Sequence, residues 1–287
     1  MIRVAAVDLG TNSVRLLVAD VDDDGRVAEL HRETRIVRLG EGVDERRRLL
    51  PAPVARARDA LVDYRRCAEE LGAERVLLVA TSAVRDAKNG EAFLGELERD
   101  YGIATRLLSG GEEAELTNRG VGRPDALVVD LGGGSMELIG PGIRVSLDVG
   151  SVRLTERFLR SDPPTNAELE AAAGLVRASL PPLVFMNTIG VAGTFTTLAA
   201  LELGGYDPAL THGYRLSRDA VERWTERLAS VPRSERTFPG LEPARAPVIV
   251  GGALIVRELM RHAMLDEIEI SERDLLDGAA LEAAALA

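Results

Sequence analysis

The chain has 287 residues and a formal net charge of −11, a length that suggests about two domains with enough core to fold without disulfides or structural metal ions. One cysteine and three histidines exclude a disulfide framework and a Cys- or His-rich zinc site. No apolar run approaches the ~18 residues of a membrane helix, and the acidic balance argues against a nucleic-acid-binding surface. We expect a cytoplasmic protein, because Asp8 interrupts the first apolar stretch too early for a signal peptide.

The first 123 residues predict an α/β domain with the element order βββαβα. In chain order these elements are strands at 3–7, 13–20 and 27–39, a helix from Val54 to Ala68, a strand at 75–80, and a helix from Phe93 to Tyr101. Ser109, followed by Glu112 and Glu113, is typical of the start of a further helix, where acids suit the helix dipole.

A Gly- and Pro-containing break at 120–124 precedes a return of the opening pattern. Residues 4–17 read VAAVDLGTNSVRLL, and residues 126–139 read ALVVDLGGGSMELI. Two such copies indicate a duplicated domain rather than a short repeat. We therefore predict domains at 1–123 and 124–287.

The second copy is predicted to be the more elaborate one. Its elements are a strand at 143–148, helices at 152–158 and 168–179, a strand at 187–191, a helix from about Phe195, helices at 216–229 and 245–262, and a strand at 267–270. Ser271 and Asp274 resemble a capping box for a last helix through Ala285. This helix, about 272–287, is a candidate to pack back on the first domain.

The basic residues are 34 arginines and a single lysine, Lys88. A Walker-type phosphate loop needs Lys directly after its last Gly, and a protein kinase needs a strand Lys against the phosphates. Lys88 follows Ala87, so both mechanisms are excluded. A bound phosphate would have to be held by backbone amides, arginine or a metal ion.

Each copy of the repeat places an Asp at a strand end, then a Gly-containing turn, then a Ser that opens the next strand. Successive amides in such a turn can form an anion-binding nest, and the Asp suits a hydrated divalent cation. A single hairpin of this kind is more often a plain tight turn. Two copies favour a pair of turns that hold a phosphate group. These turns are Gly10, Thr11, Asn12 and Ser13, and Gly132, Gly133, Gly134 and Ser135.

The two copies differ at one charged position, where Arg15 of the first becomes Glu137 of the second. Strand alternation places Glu137 on the same face as Ser135, toward the turn. Glu137 is then either a solvent-facing strand residue or a carboxylate that acts on metal or water.

Three further segments carry candidate chemistry. Glu113 is either part of an ordinary helix start or a general base for water, and Arg85, after a buried strand, is either a surface residue or a phosphate contact. The loop with Gly193 and Thr194 could cradle a nucleotide or anion, or be a plain Gly-rich turn. The run 46–48 of three arginines is interpreted as a solvated charge run, with polyanion binding as the alternative.

The sequence resembles the exopolyphosphatase/guanosine pentaphosphate phosphohydrolase (Ppx/GppA) family, within the superfamily of actin, sugar kinases and heat-shock ATPases. The segments that carry the resemblance run in order along the chain. They are 8–13, 80–85, 109–114, 130–137, 150–158, 190–197, 212–213 and 239–241.

The resemblance implies two ribonuclease-H-like domains flanking a central cleft, and Mg²⁺-dependent release of terminal phosphate from polyphosphate. The alternative substrate is guanosine pentaphosphate, a nucleotide of the stringent response. By position, Glu113 is the implied general base and Glu137 the second essential acid. Asp8 and Asp130 match acids near metal and water, and Arg85 a phosphate contact. No nucleic-acid or membrane partner is expected, and a homodimer is left open.

Two other functions stay open on the sequence alone. A phosphotransferase would pass phosphate to a small acceptor with little release to water, because the fold by itself does not fix the reaction. A sensor of polyphosphate or guanosine alarmones would bind tightly without turnover. The Glu pair beside the turns favours hydrolysis.

Overall fold

The protein is described by a computed structural model that covers residues 1–184 and 187–286. The chain forms two compact units: Met1–Gly122 together with Arg273–Ala287, and Arg123–Glu272. The boundary after Gly122 lies one residue before the expected one. The second domain was expected to run to 287, but its unit ends at Glu272, and Ala287 lies outside the described residues.

The first unit is built around a five-stranded sheet of order β3-β2-β1-β4-β5. β2 pairs antiparallel with both β1 and β3, whereas β4 pairs parallel with β1 and β5 pairs parallel with β4. The elements are β1 (Ile2–Leu9), β2 (Ser13–Val21), β3 (Val27–Ile36), α1 (Val43–Arg46), α2 (Pro51–Glu70), β4 (Arg75–Ala80), α3 (Ser82–Asp86), α4 (Gly90–Tyr101), β5 (Ala104–Leu107), α5 (Gly110–Val121) and, from the end of the chain, α12 (Leu275–Ala285).

The central strand β1 is buried on both faces, and this explains why a helix distant in sequence completes the unit. Ala5 and Val7 belong to the core cluster that includes α2 and α4. Val4 and Ala6, on the opposite face, pack with the apolar residues of α12. Without α12, alternate residues of β1 would lose their apolar cover.

Small residues let α5 and α12 pack closely. A Cβ added to Gly120 would lie 1.9 Å from the carbonyl oxygen of Asp274, and one added to Gly278 would lie 2.0 Å from that of Leu116. Neither position can accept a side chain without moving the helices apart, so the C-terminal helix is an integral part of the first unit.

The second unit repeats this topology in a six-stranded sheet of order β10-β11-β9-β6-β7-β8. Strands β8-β7-β6-β9-β11 correspond in order and direction to β3-β2-β1-β4-β5. The elements are β6 (Leu127–Leu131), β7 (Met136–Gly140), β8 (Ile143–Leu147), α6 (Ser151–Phe158), α7 (Asn166–Ser179), β9 (Thr188–Val191), α8 (Gly193–Leu203), α9 (Pro208–Thr211), β10 (Arg215–Ser217), α10 (Arg218–Ala229), α11 (Ile249–His262) and β11 (Glu267–Ile270).

Several predicted helix starts are wrong, and for three of them the contacts give the reason. The helix expected from Leu216 begins at Arg218, because Leu216 pairs with Ile268 in the sheet and Ser217 caps the helix. The helix expected from Arg245 begins at Ile249, after a 3₁₀ turn at Pro243–Arg245.

The third error concerns the last helix. Its cap is Asp274 rather than Ser271: an Asp274 carboxylate oxygen accepts from Leu276 N at 2.9 Å, and Asp277 reaches back to Asp274 N at 3.2 Å. Ser271 N instead donates to Gly190 O at 3.0 Å. No helix of the described residues has the length and apolar character needed to cross a membrane.

Candidate active site

The sequence repeat is a structural repeat down to the strand register. In the first unit Gly10 N donates to Ser13 O at 3.0 Å, and in the second Gly132 N donates to Ser135 O at 3.0 Å. Asp8 pairs directly with Arg15 across the first hairpin. The equivalent positions of the second hairpin, Asp130 and Glu137, also pair directly.

The segment after β3 holds the carbonyl groups of the first turn. Val37 N and Arg38 N donate to Asn12 O at 3.0 and 2.8 Å, and Gly40 N donates to Thr11 O at 2.8 Å. A Cβ on Gly40 would lie 2.2 Å from Thr11 Cγ2. The amides of Thr11 and Asn12 have no acceptor among the described residues. The turn therefore presents hydrogen-bond donors, as an anion-binding nest requires.

The start of α6 holds the second turn in the same way. Val152 N and Arg153 N donate to Gly133 O at 2.8 and 3.1 Å, and Arg153 Nε donates to Gly134 O at 2.6 Å. Gly150 permits this contact, because a Cβ there would lie 2.4 Å from Gly133 O. The amides of Gly133 and Gly134 likewise have no acceptor in the described part of the chain.

Arg15 joins Asp8 to the cap of the C-terminal helix. Its Nε donates to Asp8 Oδ2 at 2.9 Å, and its Nη1 donates to Asp274 Oδ2. Burial raises the pKa of Asp8 despite the opposing charge of Arg15. Burial also acts to raise the pKa of Asp274, but Arg15 and Arg32 outweigh it and lower that pKa. Asp274 therefore holds the negative charge that keeps Arg15 in place.

Asp8 keeps one oxygen available. Its Oδ2 is held by Arg15, whereas its buried Oδ1 has no hydrogen-bond partner. A buried carboxylate oxygen without a partner costs free energy unless a ligand satisfies it. Carboxylate oxygens are the ligands that Mg²⁺ prefers, so the donor chemistry of Asp8 fits the implied metal ion.

Glu137 does not face solvent, which was one of its two interpretations from the sequence. It is buried, with 2% of its surface exposed. Its Oε1 accepts from Ser146 Oγ of β8 at 2.6 Å. Glu137 and Asp130 lie directly opposite each other, and like charges in that arrangement repel. A cation offsets such repulsion, which fits the expected role of both acids toward Mg²⁺.

Asp8 lies near the carboxyl end of β1, and Arg85 and Glu113 follow the carboxyl ends of its parallel neighbours β4 and β5. Ligands of α/β sheets bind at this edge. Arg85 Nη1 donates both to Glu113 Oε1 and to Leu108 O, the latter at 2.7 Å. Arg85, predicted as a phosphate contact, thus lies against the predicted base.

The acids at the start of α5 have different environments. Glu112 forms the capping box with Ser109 and an ion pair with Arg106 at 2.6 Å. Its hydrogen bonds to Arg106 and Ser109 lower its pKa to about 2. Glu113, by contrast, is buried, with 5% of its surface exposed. Glu112 therefore fits the helix-start interpretation, whereas the role of Glu113 as a general base stays a prediction.

The Gly193 loop follows β9, next to the second hairpin in the sheet. Ala192 has φ 71° and ψ 177°, a backbone conformation that residues other than Gly rarely adopt. The guanidinium of Arg245 lies on Gly193, where a Cβ would come within 2.0 Å of Nη1. The loop with Thr194 thus pairs a helix N-terminus with an arginine, an arrangement suited to an anion.

The described residues contain no group of three or more His, Cys, Asp or Glu side chains that could hold a metal ion. Mg²⁺ does not need one, because it commonly binds through one or two carboxylates together with substrate phosphates and water. The fit with Mg²⁺ therefore rests on Asp8 in the first unit and, separately, on Asp130 and Glu137 in the second.

Comparison with known proteins decides the family. The model of the Ppx/GppA phosphatase family matches residues 17–285. Exopolyphosphatase 2 of Mycobacterium tuberculosis is 44% identical over 315 residues, which cover 98% of each chain. This chain belongs to the Ppx/GppA phosphatase family.

Two other relatives bear on the fold and on the substrate class. The Ppx/GppA enzyme of Aquifex aeolicus has a TM-score of 0.82 at 33% identity and covers 98% of this chain and 99% of its own. A guanosine-5′-triphosphate,3′-diphosphate pyrophosphatase of Vibrio atlanticus is 30% identical over 97% of this chain and 58% of its own. The fold prediction, α/β with two ribonuclease-H-like domains, is confirmed.

In this Ppx/GppA family member, sequence reasoning missed the residues that hold the turns in place. Gly40 and Arg153 carry no local chemical signature of this role, because their contacts with the turns depend on the fold. Asp274 was noted only as a possible cap, and its contact with Arg15 also depends on the fold. Arg15 was noted only for its difference from Glu137. Its contact with Asp8 follows from the pairing of the two strands of the hairpin. Its contact with Asp274, the cap of α12, could not be predicted in this way.

Proposed function

We propose that this Ppx/GppA phosphatase is an exopolyphosphatase, which hydrolyses the terminal phosphoanhydride bond of inorganic polyphosphate and releases orthophosphate. The observation that carries the proposal is the pair of turns whose carbonyls are tied back and whose amides lack acceptors. Amides in this arrangement bind phosphate oxygens without lysine. The similarity to an exopolyphosphatase over the full chain supports the same substrate class.

Glu113 is proposed as the general base. It would accept a proton from a water molecule whose oxygen attacks the terminal phosphorus. The bond from that phosphorus to the bridging oxygen breaks, and its electron pair stays on the shortened chain. Arg85 is proposed to orient the Glu113 carboxylate, since its guanidinium also binds Leu108 O and so has a fixed position. A positioned base typically contributes ~10²- to 10⁴-fold to the rate.

The amides of each turn are proposed to bind and stabilise charged phosphate oxygens: those of Thr11 and Asn12 in the first unit, and those of Gly133 and Gly134 in the second. Asp8 in the first unit, and Asp130 and Glu137 in the second, are proposed as oxygen donors for Mg²⁺, which would supply positive charge to phosphate oxygens when bound. Fixed donors of this kind stabilise the loose transition state of phosphoryl transfer without reorganisation.

Guanosine pentaphosphate is the second candidate substrate. The Gly193 loop and Arg245 favour it, because they place a positive charge and a helix N-terminus next to the second hairpin. The Vibrio atlanticus relative, whose name denotes activity on a guanosine nucleotide, adds support. In this case the loop would contact the nucleotide part of the substrate.

The test is phosphate release from polyphosphates of defined length, guanosine pentaphosphate and ATP, assayed side by side with and without Mg²⁺. An exopolyphosphatase releases orthophosphate from polyphosphate and leaves chains that shorten from their ends. Faster turnover of guanosine pentaphosphate would favour the second candidate. Tight binding of either substrate without phosphate release would instead indicate a sensor.

A further inference from the structure

Four exposed cations of the first unit form a group that the proposed mechanism does not use. We call Arg46, Arg47, Arg48 and Lys88 the basic cluster. Their side chains make no ion pair or hydrogen bond with any described residue. Other arginines of this unit are paired, such as Arg58 with Glu96 and Arg106 with Glu112. The basic cluster therefore carries positive charge that no ion pair with a described residue compensates, in a chain whose net charge is negative.

Backbone and side-chain hydrogen bonds hold the two loops of the basic cluster together. Lys88 N donates to Arg47 O at 2.9 Å. The side chain of Asn89 accepts from Leu49 N at 2.8 Å and donates to Leu49 O at 3.2 Å. Arg47 itself has φ 52°, the left-handed conformation, as it ends α1. The four cations are thus gathered by the fold and not merely adjacent in sequence.

The basic cluster lies on the same two chain segments as the first turn's supporting residues and Arg85. The segment that carries Arg46 begins at Val37 and Gly40, which hold the first turn. Lys88 follows Arg85, the partner of Glu113, by three residues, a length of chain that spans at most ~11 Å. A linear chain of phosphates bound at the turn can therefore reach the cluster.

We propose that the basic cluster binds the internal phosphates of polyphosphate and so makes the enzyme prefer long chains to short ones. This inference rests on the proposed function. Polyphosphate carries charge along its whole length, and arginine and lysine are the side chains that bind phosphate by charge.

The test compares two triple variants that remove the same charge from the first unit. The cluster variant carries Arg46→Gln, Arg47→Gln and Arg48→Gln. The control variant carries Arg26→Gln, Arg66→Gln and Arg99→Gln, three exposed arginines outside the cluster. Lys88→Gln is made separately, in case the cluster variant does not fold. The readouts are KM and kcat for long-chain polyphosphate and for tripolyphosphate, and binding of long-chain polyphosphate by calorimetry.

We expect the cluster variant to raise KM for long-chain polyphosphate about threefold or more at low salt, since each exposed ion pair contributes modestly. High salt should shrink this change. Tripolyphosphate KM and both kcat values should stay within about twofold of the wild type. Lys88→Gln should give a smaller change in the same direction.

Equal effects of the two triple variants, or equal effects on long and short substrates, would overturn the inference. The calorimetric measurement tests the inference even if the proposed function is wrong, because it measures polyphosphate binding without turnover. A wild-type protein that releases no phosphate contradicts the function, whereas loss of polyphosphate binding confined to the cluster variant still supports the cluster. Unchanged polyphosphate binding by the cluster variant would contradict the role of the basic cluster.

Discussion

Asp274 and Arg15 lie 259 positions apart in the sequence and are joined by a hydrogen bond. Arg15 uses the same guanidinium to hold Asp8, the acid at the end of β1. Asp274 also caps α12 by accepting from Leu276 N at 2.9 Å. The C-terminal helix therefore does more than cover the sheet, because its N-cap residue fixes a charged group of the candidate site.

Asp274→Asn tests this connection. Asparagine caps a helix about as well as aspartate, so the variant removes the negative charge toward Arg15 while keeping the cap. Because Asp8, the other partner of Arg15, is proposed to hold Mg²⁺, we expect kcat for polyphosphate to fall ~10-fold or more, the effect typical of losing an outer partner of a metal ligand. The measurement is kcat and KM at a temperature where the variant is fully folded.

Asp277→Asn is the matched control. Asp277 belongs to the same capping box but binds Arg32 at 3.0 Å instead of Arg15. Its loss should change thermal stability about as much as Asp274→Asn while leaving kcat near the wild-type value. Equal kcat in the two variants would show that Asp274 acts only through the stability of α12.

Gly150→Ala tests the position of the second turn. The new Cβ would lie 2.4 Å from Gly133 O, so the turn or α6 must move. A displacement of ~1 Å at a site can cost ~100-fold in rate, and we expect at least tenfold lower kcat/KM. Gly111→Ala, where a Cβ meets nothing within 4 Å, should keep full activity. A fully active Gly150→Ala enzyme would contradict the role of the turn.

Glu112→Gln tests the pH dependence of stability. Hydrogen bonds to Arg106 and Ser109 lower the pKa of Glu112 from 4.5 to about 2 in the folded protein. Its contribution is therefore fully present above about pH 4.5 and is lost as the pH falls toward 2. Gln can still form a capping box, so the variant isolates the charge.

Thermal unfolding of both proteins between pH 7 and pH 3 gives the measurement. The wild type should be more stable at pH 7, by a small amount because Glu112 is partly exposed. This difference in midpoint should narrow below about pH 4.5. A difference that stays constant to pH 3 would mean that Glu112 acts through its shape and not its charge.

Local patterns were sufficient to predict most of the strands and both hairpins of the repeat. The strand at Arg75–Ala80 and the end of the last helix at Ala285 match the prediction. β5 was missed, since a four-residue strand that is largely half-buried shows no clear alternation. The cap at Asp274 was misplaced because Ser271 also has a capping side chain, and its backbone pairing with Gly190 depends on the fold.

Those features of the candidate site that lie within a single chain segment could be predicted from the sequence. The turns at Gly10 and Gly132 follow from the repeat. Strand alternation places Glu137 on the face of Ser135, but its burial was one of two interpretations that the sequence left open. The contact between Arg85 and Glu113 could not be predicted, because it joins the ends of two different strands. The base role of Glu113, the Mg²⁺ dependence, the homodimer and the cytoplasmic location stay predictions.

The most direct test of the account is the rate of orthophosphate release from long-chain polyphosphate by Glu113→Gln. The variant keeps the shape of the side chain but cannot accept a proton from water. Because the ion pair with Arg85 is also lost, the assay is run well below the thermal midpoint of the variant. We predict a rate ~10²- to 10⁴-fold below that of the wild type. A rate within about threefold of the wild type, in a folded variant, would contradict a general base at this position.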